Sequence, residues 1–451
     1  MEPCKMFKPA LLITLLGVFL SHGGLALAQG RTFTLKEALA IAMKGNHSLK
    51  ASAGASGAVA EEIGIARSRL LPNIVFEERF TRTNNPTLAF ASKLNQGRFT
   101  QDDFAIGSLN NPAAVNDYQT SLSVEQVLLS KKASVGLEMA ERLYSASTED
   151  LGRKKEEVVY AIIRAHLMAE TARRFIATAE KGVEDAAEHL RLAELRYTSE
   201  IGLYSDVLRA SLMVTTAKQR LATANKNLLL AERQMGLLLG LEEPASISDA
   251  ISELPVKDIG YYTRSALSRK DVRSMSLKYE NAKSNIELAS AAYYPTIGVG
   301  GAYMMNDHLN PLGSEGDSWQ VSAQLRWSIF DGTLRRHESN RARHSATEAS
   351  EHLSGLKKAV SYRIYEAYLE AQEAARNTGL TAGSLAVAEE GERLVRTRFE
   401  NGLTPISDLL DAQLSLDEAR TNHVMSENDL KSAIAALHFE SGTIIRDLGL
   451  E

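Results

Sequence analysis

Two aspartates, Asp408 and Asp411, lie three residues apart in the stretch "TPISDLLDAQL". This spacing places both carboxylates on one face of a helix, where like charges are destabilising. Acidic residues in the first turn of a helix are also stabilised by the helix dipole, which explains them without any further role. The other interpretation is functional, because rings of carboxylates around a pore select cations. The sequence alone leaves both interpretations open.

A second group of side chains, His344, Glu348 and His352, has a helical spacing that could bind zinc. These residues lie in a strongly charged segment, and a solvated helix face is the simpler explanation. The sequence has no glycine-rich phosphate loop, nucleophile elbow or zinc-protease helix. We therefore predict that the protein is not an enzyme and has neither a cofactor nor a metal site. The net charge of −5 disfavours a nucleic-acid partner.

The phrase that contains the aspartates occurs twice. "SDVLRASL" begins at Ser205 and "SDLLDAQL" begins at Ser407, 202 residues later, so Arg209 aligns with Asp411. Further matches on almost the same offset pair "RAHLMAE" with "EAYLEAQ" and "YQTSLSVEQVLL" with "WQVSAQLRWSIF". The chain is therefore predicted to contain two similar halves, each with the order helix, strand, strand, long helix, helix.

The N-terminus has the features of a secretory signal peptide, with lysines before an apolar run and the small-residue site "ALA" at residues 26–28. We expect no lipid anchor, because the only cysteine, Cys4, precedes the apolar core. A segment rich in Pro, Ser and Asp, residues 242–257, is the predicted joint between the halves. The expected organisation is a signal peptide over 1–28, a first repeat over 29–255 and a second repeat over 256–451.

Four segments alternate apolar and polar residues as strands do, and they are residues 73–81, 118–129, 296–305 and 319–330. They could form a small soluble sheet with one face on a core. They could equally cross a membrane as part of a barrel, which needs strands of about 9 to 11 residues and aromatic girdles at both interfaces. The aromatic residues predicted to form such girdles are Tyr118, Tyr303, Trp319 and Trp327.

Two segments of about 65 residues, 132–197 and 334–399, contain no proline, and as helices they would be rods near 100 Å long. Such rods must pack on one another, as in a coiled coil. The apolar stripe in the first rod comprises Val159, Ile162, Ile163, His166 and Leu167. Four strands per chain are too few to close a barrel in lipid. Several chains would therefore have to share one barrel.

The doubled order, the prolines Pro72 and Pro295 before two of the strands, the export signal and the paired "SD" phrases resemble the TolC-type outer-membrane efflux channels of Gram-negative bacteria. The resemblance covers essentially the whole mature chain. It implies a mainly α fold with a small β part, in which a homotrimer forms a twelve-stranded outer-membrane barrel continued by a periplasmic α-helical barrel. It also implies a passive exit duct for efflux or type I secretion, gated at its periplasmic end and assembled with a periplasmic adaptor and an inner-membrane pump.

The resemblance further implies roles for individual residues. Asp408 and Asp411 match the acidic pair that lines the constricted entrance in this family. Ser205 and Asp206 match positions that help to hold the entrance shut.

This sequence departs from the family pattern where the gate arginine and its tyrosine partner are replaced by Thr404 and Phe399. Arg209 is therefore a candidate partner for the aspartates. We expect Thr404 to be the N-cap of the following helix, with Pro405 at its first position, and Ser205 to cap its own helix.

The first predicted hairpin is about twenty residues longer than the second, since 46 positions separate Pro72 from Tyr118 and 24 separate Pro295 from Trp319. Long loops lie on the outer side of membrane barrels. We expect this loop to be extracellular and a cysteine at Gln96 to be accessible there. Two other classes remain open: a trimeric coiled-coil stalk or adhesin, and a periplasmic adaptor protein without a pore.

Overall fold

The computed structural model describes residues 31–248 and 254–449. In chain order the helices and strands are β1 (Arg31–Phe33), α1 (Leu35–Gly45), α2 (His47–Ser68), β2 (Asn73–Thr83), α3 (Pro86–Asn95), α4 (Ile106–Asn110), β3 (Val115–Leu129), α5 (Lys131–Thr198), α6 (Tyr204–Leu239), β4 (Ala245–Ile247), α7 (Ile259–Ala266), α8 (Lys270–Ser290), β5 (Thr296–Asp307), β6 (Gly316–Arg326), α9 (Leu334–Glu400), α10 (Ile406–Glu440) and α11 (Ile444–Asp447). The predicted signal peptide lies outside the described residues.

The two long helices predicted from the absence of proline are confirmed. Helix α5 has 68 residues and α9 has 67, so each is about 100 Å long. Helices α2 and α8 pack along the part of the rods nearest the sheet, and α6 and α10 pack along the remainder. The apolar stripe from Val159 to Leu167 is buried. Among the described residues, no helix is long and apolar enough to cross a membrane.

The four predicted strands form one antiparallel sheet in the order β2, β3, β5, β6. Its two outer strands, β2 and β6, each have one edge without a strand partner among the described residues. Strand β6 ends at Arg326, so the expectation that it continues to residue 330 is wrong. Just beyond the end of the ladder, the Trp327 indole N–H donates to the Tyr293 carbonyl oxygen at 3.0 Å.

The two faces of this sheet differ in polarity, and β6 is exposed on both. Residues directly opposite each other share a face. One face carries Phe76, Leu122, Tyr303 and Trp319 in a single row, with Ile74, Val124 and Val321 in the next row. The other face carries Glu77, Ser121, Ser123, Gln320 and Ser322. A single chain thus leaves an apolar sheet face uncovered, which is unusual for a soluble protein.

Glu78 interrupts the apolar face of β2, and the structure supplies its partners. The Thr120 hydroxyl of β3 donates to one carboxylate oxygen, and the backbone N–H of Leu312 donates to the other at 3.3 Å. Leu312 belongs to the turn between β5 and β6. The apolar face is therefore closed at this end of the sheet by hydrogen bonds to the turn.

A collar midway along the rods contains elements that the sequence pattern missed. Strands β1 and β4 pair in parallel, although three residues are too few to show alternation. The Asn46 amide donates to the Leu238 carbonyl oxygen at the end of α6, at 2.7 Å. The Arg269 guanidinium donates to the Glu440 carbonyl oxygen at the end of α10. Leu238 and Glu440 are 202 residues apart, so the two collar contacts follow the repeat.

Candidate functional site

The aspartates lie where the helices turn at the end of the rods farthest from the sheet. The turn from α5 to α6 has Glu200 in the left-handed conformation (φ 62°), and the turn from α9 to α10 has Gly402 there (φ 72°). In both turns a backbone N–H reaches back to an arginine carbonyl oxygen, from Ile201 to Arg196 at 3.0 Å and from Leu403 to Arg398 at 2.9 Å. The repeated phrase therefore encodes the same helix-ending geometry twice.

Phe399 lies in an apolar cluster between the two helical hairpins. It is 3% exposed and packs with Ala193, Ala210, Ile406 and Leu409, which belong to α5, α6 and α10. A tyrosine here would bring a hydroxyl that needs a hydrogen-bond partner in an apolar environment. The phenylalanine therefore joins the hairpins by apolar packing.

Arg196, which the sequence reasoning missed, links the two hairpins directly. Its Nη1 donates to the Phe399 carbonyl oxygen at 2.6 Å, and its guanidinium carbon lies 4.8 Å from the centre of the Phe399 ring. Both contacts cross from the end of α5 to the end of α9. The sequence signal was present, because Arg196 aligns with Arg398 on the repeat offset. Only the packing shows which of the two arginines contacts the other hairpin.

Asp408 lies in the first turn of α10 and is exposed. The Thr404 hydroxyl and the Ser407 hydroxyl donate to its two carboxylate oxygens, the second at 3.2 Å. The expectation that Thr404 is the N-cap of α10 is wrong, because the helix begins one residue later with Pro405 in the N-cap position. The extended backbone of Pro405 (φ −73°, ψ 162°) separates Thr404 from the first turn, so its hydroxyl binds the aspartate instead.

Asp411 and Arg209 line the same open cleft of about 310 Å³ between α6 and α10. Within the described residues of one chain, no ion pair joins Arg209 to either aspartate, so their pairing stays a prediction for the assembled copies. Ser205 does not cap its helix, because α6 begins at Tyr204 with Leu203 as N-cap. Asp206 lies in the first turn of α6.

A buried polar network connects the hairpins about two turns from their ends. The Gln413 side chain, 0% exposed, contacts the His189 Nε2 atom at 3.0 Å and donates to Asp417 at 3.0 Å and Asp185 at 3.3 Å. Arg420 donates to Asp185 at 2.9 Å. These contacts join α5 to α10 through polar groups that are buried from solvent.

Two further ion pairs extend the network to α6 and α9. Arg220 of α6 donates to Asp417 at 3.2 Å, and Arg396 lies 2.7 Å from Glu392 within α9. The Glu392 carboxylate is also 3.8 Å from the ring of His189. All four helices of the two hairpins therefore contribute charged side chains to this site, and Arg220 and Arg396 reach it from its partly exposed edge.

Burial and charge act on the two aspartates of the network in different proportions. Burial acts to raise the pKa of Asp185, but the hydrogen bond and the charge of Arg420 outweigh it, so its pKa is lowered. The pKa of Asp417 is raised, because burial outweighs its hydrogen bond with Gln413 and the charges of its arginines. Asp185 is therefore the carboxylate whose ionised form the fold stabilises.

The predicted girdle residues lie toward the two ends of the sheet. Tyr303 is opposite Trp319 in the ladder, and the Tyr118 ring lies 4.7 Å from Phe80 near the same end. Trp327 follows β6 at the end nearest the helices. Aromatic side chains are thus present toward both ends of the sheet.

The groups that could bind metal have other contacts. His352 and Glu348 are exposed and 3.7 Å apart on α9, as a solvated face predicts. Asp307, His308 and Glu315 lie close together at the turn after β5. Asp307 accepts the Leu309 N–H at 2.7 Å, and Glu315 contacts the His308 Nδ1 atom at 2.6 Å. These oxygens already accept hydrogen bonds within the turn, and we propose no metal site here.

Comparison with known proteins assigns the chain. The model of the outer membrane efflux protein family matches residues 38–241 and 262–443. Protein CyaE of Bordetella pertussis is 22% identical over 420 residues, covering 91% of this chain and 84% of the relative. Outer membrane efflux protein BepC of Brucella suis biovar 1 is 22% identical over 422 residues, covering 93% and 87%. A membrane protein from Pseudomonas aeruginosa has a related structure, with a TM-score of 0.79 at 19% identity, covering 90% and 93%.

The fold and these relatives define an outer-membrane exit duct, a class of transport channel. The chain belongs to the outer membrane efflux protein family. The resemblance drawn from the repeated phrases is confirmed. The stalk and adaptor alternatives are therefore set aside.

Proposed function

We propose that three copies of this chain form one passive channel, with a twelve-stranded barrel in the outer membrane and a periplasmic tunnel of α-helices. The observation that carries the proposal is the sheet, which exposes one apolar face and, in the part of the chain that the structure describes, has unpaired edges at β2 and β6. Unpaired strand edges are not tolerated in lipid. Pairing β2 of one copy with β6 of the next would remove both edges in a closed ring.

The position of the aromatic residues supports the same arrangement. Trp319 and Trp327 are eight residues apart, a distance of about 27 Å along an extended strand. With a tilt of about 40°, this corresponds to roughly 21 Å along the barrel axis, close to the height of the apolar band in such barrels. Tyr118 and Tyr303 would join Trp319 in the outer girdle, and Trp327 would belong to the inner one.

The hairpin ends would then form the periplasmic entrance of the duct. Three copies of Asp408 and three of Asp411 would surround the axis and favour cations. Ser205, Asp206, Thr404, Arg209 and Phe399 would contribute to the closed state, with Arg209 free within its own chain to contact a neighbouring copy.

The remaining assignments follow the family. The mature protein would start after a cleaved signal peptide over 1–28 and have no lipid anchor. It would have two repeats over 29–255 and 256–451. A periplasmic adaptor and an inner-membrane pump would supply the cargo and the energy, and the duct itself would need no cofactor.

Two neighbouring residues of β6 on opposite faces provide a test. Val321 lies on the apolar face and Ser322 on the polar face, and both are exposed in one chain. Arginine on the lipid side of a barrel costs about 2 to 4 kcal/mol near the bilayer midplane, whereas substitutions on the lumen side are tolerated. We expect Val321→Arg to lower sharply the yield of detergent-extracted trimer in the outer-membrane fraction, and Ser322→Arg to leave it near the parent level.

Native mass spectrometry of the detergent-solubilised protein measures this yield and the copy number together. Equal trimer yields for the two variants would show that neither face of β6 contacts lipid. A parent protein that is monomeric, or that is extracted without detergent, would also contradict the proposal.

A further inference from the structure

The long loop between β2 and β3 is folded. Asn85 caps α3 by accepting the backbone N–H groups of Thr87 and Leu88 at 3.1 and 3.3 Å, and Pro86 occupies a first-turn position. The rings of Phe90, Phe99 and Phe104 then stack edge to face, with centres 4.7 and 5.0 Å apart. The loop is therefore held together by an aromatic cluster of its own.

One side of α3 is buried against the sheet. Ala89, Ser92 and Gln96 have the spacing of one helix face, and Gln96 is 2% exposed. The expectation that a cysteine at Gln96 would be accessible is therefore wrong. Its side-chain amide donates to the Asn116 carbonyl oxygen and to the Asp117 carboxylate, each at 2.8 Å.

Asp117 is the anchor for this helix, and it receives donors from two sides. Besides Gln96, the Ser92 hydroxyl donates to it at 3.4 Å and the Asn306 amide at 3.0 Å. The approach is close, because a Cβ atom on Gly316 would lie 2.1 Å from the Asn95 carbonyl oxygen. Helix α3 is thus fixed across the ends of β3, β5 and β6.

The register shows which face α3 covers. Asp117 is opposite Thr81, and it shares its face with Gln119, Ser121 and Ser123 because strand residues alternate. This is the polar face. On the apolar face the same end of the sheet is closed by the turn that donates to Glu78. Helix α3 therefore lies on the side that faces the lumen in the proposed barrel.

We infer that α3 forms a second constriction of the duct, at the outer end of the barrel and separate from the periplasmic entrance. The inference rests on the proposed trimeric barrel. Twelve strands about 4.8 Å apart and tilted by about 40° enclose a circle roughly 24 Å across between backbones. A helix with its side chains is about 10 Å wide. Three helices placed along the inner rim leave an opening of only a few ångströms.

The side of α3 that faces away from the sheet determines the chemistry of this opening. Leu94 lies nearly opposite the face of α3 that carries Ser92 and Gln96. Leu88 lies at the margin of that buried face. Both leucine side chains are about half exposed. Three copies would bring three Leu94 side chains toward the axis. Apolar constrictions of this kind control passage by excluding water. The constriction would therefore hold back water-soluble molecules that arrive from outside.

The test measures access from the cell exterior to a cysteine inside the barrel, which does not depend on the state of the periplasmic entrance. Ser322 lies on the polar face six residues beyond Gly316, about 20 Å further along β6. Ser322→Cys is introduced into the full chain and into a chain whose residues 86–112 are replaced by a short Gly-Ser turn. Because Cys4 is the only native cysteine, the introduced thiol is the only one after signal-peptide cleavage.

Intact cells are treated with a small charged thiol reagent or with a bulky polyethylene-glycol maleimide. In the full chain we expect the bulky reagent to react at least an order of magnitude more slowly than the small one, and in the shortened chain we expect similar rates. Gln96→Ala, which keeps the loop length, should give an intermediate result if the shortened chain does not assemble. Val321→Cys, on the apolar face, is the unlabelled control.

Two results would overturn the inference, and they are distinguishable. If the bulky reagent reacts equally fast in the full and shortened chains, the barrel stands but α3 does not narrow it. If neither reagent reaches Ser322→Cys in either chain, the polar face does not line an open lumen, and the barrel proposal fails as well.

Discussion

At the scale of single residues, the hairpin ends are held by contacts that do not need an arginine at 404 or a tyrosine at 399. Thr404 cannot supply the charge of an arginine, and its hydroxyl binds Asp408 instead. Phe399 cannot supply a phenol, and it is buried between the hairpins. Arg196 brings a guanidinium to this junction from the other hairpin and donates to the Phe399 carbonyl oxygen. The contact is made to the backbone, so it does not depend on the side chain at 399.

Replacing Arg196 should therefore loosen the hairpin ends. A hydrogen bond from a charged donor contributes about 1.5 to 3 kcal/mol when buried, and less for a half-exposed residue such as this one. We expect Arg196→Ala to raise the single-channel conductance or the fraction of time spent open. Arg398→Ala is the matched control, because Arg398 occupies the equivalent repeat position and is exposed. Equal conductance in the two variants would show that the Arg196 contact does not restrain the entrance.

At the scale of helices and strands, the sequence predicted what depends on local pattern. The rods follow from the absence of proline, and the sheet follows from period-two alternation. Helix α3 does not follow from the hairpin-length difference, which predicts only a long loop, although Asn85-Pro86 is a helix-start signal. The β1–β4 pair and the role of Arg196 could not be predicted, because both depend on contacts between residues about two hundred positions apart.

The network around Gln413 predicts a pH dependence for the helical end of the molecule. Asp185 has a lowered pKa in the folded protein, so its ionised form contributes stability above its unfolded pKa of about 3.9. This contribution is lost as the pH falls through the folded pKa. The pKa of Asp417 is raised, so ionisation of Asp417 reduces the stability of the folded protein as the pH rises. The Asp185→Asn variant removes the contribution of Asp185 and leaves that of Asp417.

We expect Asp185→Asn to unfold at a lower temperature than the parent at neutral pH, with the difference shrinking below about pH 3.9. Thermal unfolding of the detergent-solubilised protein, followed by circular dichroism, measures both. Glu184→Gln is the control, because Glu184 is an exposed partner of Lys181 on the same helix. A difference that stays constant with pH would mean that the Asp185 charge does not contribute.

At the scale of the whole molecule, a single chain leaves surfaces uncovered that the proposed assembly would cover. Within residues 31–248 and 254–449 the sheet has two open edges and an uncovered apolar face, and each chain presents an open cleft with Asp411 and Arg209 in it. Three-fold closure would satisfy the edges and bring the carboxylates together around one axis. In this arrangement one duct has two narrow points, the hairpin ends in the periplasm and the α3 helices at the outer rim.

The central claim is tested most directly by ion conductance across a planar lipid bilayer, measured for the purified protein and for the double variant Asp408→Asn, Asp411→Asn. We predict that the parent conducts with a preference for cations and that the variant conducts with that preference reduced or lost. A variant with the same preference would return the aspartates to their helix-start role. A parent protein that neither inserts nor conducts would contradict the account as a whole.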